Sequence, residues 1–102
     1  MEIRIEWSEL ASRQLKDIHE YYCNKANSKI ARKILNKIIE RVEILYANPF
    51  SGTKEELLSD LPEEFRYLVE ENYKIIYWFE DGIITIASVF DCRQNPEKIK
   101  KL

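Results

Sequence analysis

The 102-residue sequence predicts an α+β fold of order β-α-α-β-β-β, with a helix hairpin packed on one face of a largely antiparallel sheet and a short C-terminal helix. Three features point to it. Two amphipathic helical stretches follow one another across the short break KANS. Three apolar runs, at 64–70, 73–80 and 83–90, then succeed each other with two-residue gaps. The second gap is Asp81-Gly82, a strong hairpin signal because both positions must accept positive φ.

Each element has its own local reason. IRIEW at 3–7 alternates Ile3, Ile5 and Trp7 with Arg4 and Glu6, the period of a half-buried strand. Ser8 is placed to cap a helix through about Cys23, in which Ala11, Leu15, Ile18 and Tyr22 share a face. Ser28 is expected to cap the second helix, whose buried stripe is Ala31, Leu35, Ile38, Val42 and Leu45, reinforced by Ile34. Asn48-Pro49 and Gly52 end it. Residues 49–63 form the longest loop, with a helical turn near Glu55–Ser59, and Asn95-Pro96 opens the last short helix. No linker or repeat interrupts the chain, so residues 1–102 are expected to form one domain.

The Asp81-Gly82 turn fixes a register in which Glu80 faces Ile83, Phe79 faces Ile84 and Tyr77 faces Ile86. One face then gathers Tyr73, Ile75, Tyr77, Phe79, Ile84, Ile86 and Phe90, the heavier apolar set, and belongs against the helices. Lys74, Ile76, Trp78, Thr85, Ala87 and Val89 fall on the other, open face. If Glu71-Asn72 is a two-residue turn, Arg66 pairs with Tyr77 and lies on the face opposite Lys74. A one-residue slip would bring the two together.

Composition excludes several function classes. No apolar run approaches the ~18 residues of a membrane-spanning helix, and MEIRIEW does not read as a signal peptide. Cys23 and Cys92 are too few and too unpatterned for a disulfide scaffold or metal knuckle, so a cytoplasmic protein without metal or cofactor is expected. The net charge of -2 disfavours a generic nucleic-acid binder. Charge is unevenly placed, however. Residues 25–48 hold six basic and two acidic side chains, whereas residues 49–72 hold two basic and seven acidic ones. That division suggests two surfaces for different partners, or simply two solvated faces.

The element order, together with WSELASRQL after the first strand, ANPFSG after the second helix, FRYLV, YKIIYWF and VFDCRQNPEKI, resembles the RelE/ParE family of bacterial toxins. These are the toxin halves of type II toxin–antitoxin pairs. The resemblance covers essentially the whole chain and rests on the order and spacing of segments rather than on any single motif. It implies one of two activities. RelE-like members cleave mRNA in the ribosomal A site, and ParE-like members inhibit DNA gyrase without an established catalytic constellation.

RNA cleavage through the 2′-hydroxyl needs a base, cations for the charged phosphorane and an acid for the leaving oxygen. Resemblance to the RelE branch would make Lys74 and Arg93 catalytic. Yet the second-strand positions that carry lysines in that branch are here Phe65 and Tyr67, and no tyrosine or histidine follows Tyr77. Lysine also lacks the bidentate fork of arginine. The ParE branch typically shows a second-strand arginine, a strand tyrosine seven positions later and a basic segment after the last strand. Arg66, Tyr73 and Arg93 match that arrangement. The ParE-like reading is therefore favoured, with a growth-arresting gyrase inhibitor as the expected function, and an inactive antitoxin-binding relative as a third alternative.

Expected target contacts are Arg66, Lys74, Trp78 and Arg93. Arg66 has a rival role in pairing with Glu63, Glu64 or Glu70, and Arg93 in pairing with Asp91. An acidic antitoxin segment is expected on Lys29, Arg32, Lys33, Lys37 and Arg41 of the second helix, with exposed apolar residues of the hairpin and the open sheet face supplying a groove. A homodimer is also plausible. His19, the only histidine, lies off the apolar stripe and reads as a surface residue. Cys92 has Arg93 as an electropositive neighbour, an arrangement that would lower its pKa.

Overall fold

A computed structural model describes residues 2–101. Strand β1 (Arg4–Trp7) leads into helix α1 (Glu9–Lys25), whose N-cap is Ser8, its side chain accepting a hydrogen bond from the Ala11 amide. Helix α2 (Ser28–Glu43) is capped one residue earlier than expected. Asn27, not Ser28, lies outside the helix in extended geometry, and its side chain accepts from the Ile30 amide. Leu45, expected in the helical stripe, is buried in a 3-10 turn at Ile44–Tyr46.

The sheet contains five strands in the order β1-β5-β4-β3-β2, one more than expected. The addition is β2 (Thr53–Lys54), a two-residue edge against β3 (Arg66–Glu70), too short to carry a readable alternation. Strands β4 (Tyr73–Glu80) and β5 (Ile83–Asp91) form the long central hairpin. Its turn holds Asp81 at φ 53° and Gly82 at φ 76°, both positive as its sequence requires. All pairings are antiparallel except β1 with β5, which is parallel. The expected register holds at the turn, and Arg66 faces Tyr77 across β3 and β4.

The register then shifts. A bulge between Ile76 and Tyr77 in the pairing sets Tyr77 opposite Ile86 but Ile76 opposite Ser88. Beyond it the expected alternation on β5 is inverted. Val89 pairs with Ile75 and joins the core against the helices, whereas Phe90 pairs with Lys74 and lies in the second cluster. Gln14 of α1 is fitted to this irregularity. Its Oε1 accepts from the Val89 amide at 2.7 Å and from Ser88 Oγ at 3.1 Å, where the ladder is disrupted.

The main core lies between helices and sheet, with Ile18, Ile38 and Val42 meeting Leu68, Ile75, Tyr77, Ile84 and Ile86. The face expected to be open is covered. Leu58, Phe65, Ile76, Phe90 and Ile99 form a second buried cluster, with Leu57, Tyr67, Trp78 and Ala87 packed against it. The 49–63 loop, through its 3-10 turn at Glu56–Leu58, and the C-terminal 3-10 helix Pro96–Lys101 supply the cover. Leu57, Leu58 and Ile99 are the apolar residues that make these short segments stay.

Candidate target-binding site

The three late cations do not meet in one concavity; each has its own internal partners. Arg66 Nη1 donates to the carbonyls of Gly52 at 2.9 Å and Phe50 at 3.2 Å, and its guanidinium lies over the Phe50 ring. Nη2 reaches Glu64 at 3.5 Å. Glu64 is held below the usual carboxylate range by the hydrogen bond and charge of Lys54, with Arg66 adding to the effect. Arg66 thus fastens the start of the long loop to β3.

Lys74 is not a free cation on an open face. Its Nζ donates to Glu55 Oε2 at 2.7 Å, and it sits 4.1 Å from the Tyr67 ring centre. The Glu55 side chain is only 4% exposed, so this ion pair is largely desolvated. Glu55 Oε1 also accepts from the Leu57 amide at the start of the 3-10 turn. Trp78 is half-buried on the second cluster and borders a hollow lined by Pro62, Glu63, Glu64, Phe79 and Glu80, an acidic rim that repels phosphate. The Cys92 thiol is pushed up by desolvation, which outweighs the pull of Lys74, whereas its sequence neighbour suggested a downward shift.

Arg93 is the most accessible of the three, with 49% of its side chain exposed. Its Nε and Nη2 form a fork onto Asp91 at 2.9 and 2.7 Å, and the Asp91 carboxylate also accepts from the Arg93 amide. This hydrogen bonding, with the charge of Arg93, holds the Asp91 carboxyl below its usual range, and the partnership raises Arg93 further above neutrality. The guanidinium also lies over the Tyr21 ring at 5.7 Å. Together they rim an open cavity of about 250 Å³, floored by Ile18, Tyr73 and Val89. The Tyr73 hydroxyl is pushed up by burial and by its hydrogen bond with Tyr22. At neutral pH it is a neutral phenol.

A second surface runs along α2. Asn27, Lys29, Ile30, Arg32, Lys33, Asn36, Lys37 and Glu40 line a shallow groove of about 840 Å³. Lys37 makes a loose pair with Glu71 at 3.8 Å, and Arg41 Nε donates to the Val69 carbonyl. Lys29, Arg32 and Lys33 have no ion-pair partner among the described residues. Ile30, 42% exposed, provides an apolar spot beside them. His19 lies on α1, where its side chain contacts Cys23.

Two polar residues escaped the sequence reading. Gln14 left a signal, because it is three residues after Ala11 and four before Ile18, on the inward side of α1. A polar group there needs a partner. Glu55 left none, since only the folding of the loop brings it to Lys74.

A helix hairpin on a five-stranded, mostly antiparallel sheet is a fold shared with known proteins. Residues 5–96 match the family described as the ParE toxin of the type II toxin–antitoxin system parDE, and the chain belongs to that family. Its fold is similar to that in the structure of the chromosomal ParDE toxin–antitoxin system from P. aeruginosa, with a TM-score of 0.73 and 21% identity. It also resembles the YoeB dimer from Staphylococcus aureus, with a TM-score of 0.55 and 24% identity. Each alignment covers 87% of this chain and 95% of the other. A 63-residue stretch is 35% identical to uncharacterized protein L356 of Acanthamoeba polyphaga mimivirus; it takes in 62% of this chain and the chain spans a tenth of that curated relative.

Proposed function

We propose that the chain is the toxin of a toxin–antitoxin pair, inhibits DNA gyrase by binding and carries no ribonuclease centre. The observation that supports this most is the separate engagement of Arg66, Lys74 and Arg93. A phosphorane-stabilising centre needs cations aimed at one point in space. Here one is bound to loop carbonyls, one to a desolvated glutamate and one to Asp91. Arg66 and Lys74 act as scaffold, and Arg93, with the Tyr21 rim, is the contact residue for the target. An acidic antitoxin segment docks on the unpaired Lys29, Arg32 and Lys33, with Lys37 and Arg41 at the far end of the helix.

Induction of the chain in bacteria tests the reading. Growth should stop and resume when an adjacent antitoxin gene is co-expressed, while primer extension on translated mRNA shows no codon-positioned cuts. Such cuts would favour the ribonuclease alternative, and unaffected growth the inactive relative.

A further inference from the structure

We propose that β1 is a self-pairing edge, along which two copies of the chain join into one continuous sheet about a two-fold axis at Ile5. The sheet ends in β2, only two residues long, on one side and in β1 on the other. Among the described residues nothing pairs with the far side of β1. Such an edge offers unpaired amides and carbonyls to another strand. The Arg4 amide donates to the Gly82 carbonyl and the Ser8 amide to that of Ile86, so the even-numbered residues direct their backbone groups at β5. Those of Ile5 and Trp7 therefore point outward, and Ile3, just before the strand, continues the alternation. An antiparallel copy hydrogen-bonds there only in a register that sets odd residues opposite odd ones.

Charge selects among those registers. One centred on Arg4 sets that residue against its own copy, and one centred on Glu6 does the same with glutamates; like charges directly opposite destabilise. The register centred on Ile5 places Arg4 opposite Glu6 of the other copy on both sides of the axis. It also places Ile5 opposite Ile5 and Ile3 opposite Trp7. These three apolar side chains turn to the helix side, where they are only partly buried against the main core. There Ile5, Trp7, Ile39, Val42 and Tyr46 line a hollow of about 220 Å³, with Ile39 38% and Tyr46 50% exposed. The axis stands perpendicular to the sheet, so both helix layers fall on one side and these side chains meet their copies over the joined strands. Apolar burial drives the association, and the charges set its register. The hollow shares no lining residue with the α2 groove or with the Arg93 cavity, and the proposal does not rest on the toxin reading.

Sedimentation of the purified chain at rising concentration should show the 12.2 kDa mass double, while amide exchange slows at Ile5 and Trp7. Arg4→Glu and Glu6→Arg should each weaken self-association roughly tenfold at low salt, since each turns opposite-charge contacts across the axis into like-charge ones. Both also break the 3.3 Å Arg4–Glu6 pair within one chain, an exposed contact that contributes little to folding. Mixed in equal amounts, the two variants should associate as tightly as the wild type, because each supplies the charge its counterpart lacks. The pair within each chain stays broken in that mixture, so the recovery reads the contacts across the axis alone. A wild type that keeps its single-chain mass at millimolar concentration would overturn the proposal and leave the edge to a strand of another protein. So would a dimer in which the Ile5 amide still exchanges freely, or a mixture that associates no more tightly than either variant alone.

Discussion

Arg66 and Tyr77 face each other across β3 and β4, and both side chains end on the backbone of the same loop. Arg66 donates to the carbonyls of Phe50 and Gly52. The Tyr77 hydroxyl donates to the Pro49 carbonyl at 2.8 Å and accepts from the Gly52 amide at 2.9 Å. Burial raises the pKa of Tyr77, so it remains the neutral donor this arrangement requires. The turn after α2 is therefore tied to the sheet by side chains rather than by a ladder.

Tyr77→Phe leaves a buried amide and a carbonyl without their partner. It should lower stability by roughly 1–3 kcal/mol in denaturant titration. Gly52→Ala should be similarly harmful, because an added Cβ would lie 2.6 Å from the Tyr77 hydroxyl and 2.9 Å from the Tyr67 carbonyl. Combined, the two changes should cost less than their sum, since both break one contact.

Lys74→Met should destabilise by roughly 2–3 kcal/mol, because it strands the Glu55 carboxylate in an apolar setting. The double change Lys74→Met with Glu55→Leu should recover most of that loss. Thermal melts of the two singles and the double give the coupling. A harmless Lys74→Met would mean the pair is solvated and the cation available for other work.

Gln14→Leu keeps size but removes the acceptor for Val89 and Ser88. A cost of roughly 1–3 kcal/mol is expected. Amide exchange should accelerate most at Val89, locating the effect at the bulge.

The Asp91–Arg93 fork should be acid-sensitive in a defined sense. The folded carboxyl titrates below its ordinary value of about 3.9, so its stabilisation is fully present above that value. It is lost as pH falls through the depressed folded pKa. The Asp91 carboxyl carbon shift, followed by NMR, should have its midpoint below that ordinary value, and Arg93→Ala should return it toward the ordinary range.

The helix hairpin, the central strands and the Arg66–Tyr77 register were legible because period and turn chemistry are local. The bulge was not. A single extra residue on β5 reverses the faces of Val89 and Phe90, and the residues from Ala87 to Phe90 carry no glycine or proline to announce it. The cover over the second face was also hidden, since Leu57, Leu58 and Ile99 lie in short 3-10 segments without amphipathic repeat. For that reason Lys74 read as exposed. The Asp91 partnership of Arg93 was visible two residues away.

Charge reversal along α2 checks the antitoxin surface. If an acidic antitoxin segment docks there as proposed, Lys29→Glu, Arg32→Glu and Lys33→Glu together should slow its association at least tenfold at low salt, while the melting temperature stays unchanged. An unaltered association rate would move the docking surface elsewhere.

The most direct measurement is gyrase supercoiling with the purified chain, in the absence of ribosomes. The wild type should inhibit supercoiling and accumulate cleaved DNA complexes, and Arg93→Ala should lose that inhibition while staying folded, its melting temperature lowered no more than the loss of the Asp91 fork explains. Full gyrase activity at saturating toxin, with mRNA cleaved in a translating extract, would contradict the account.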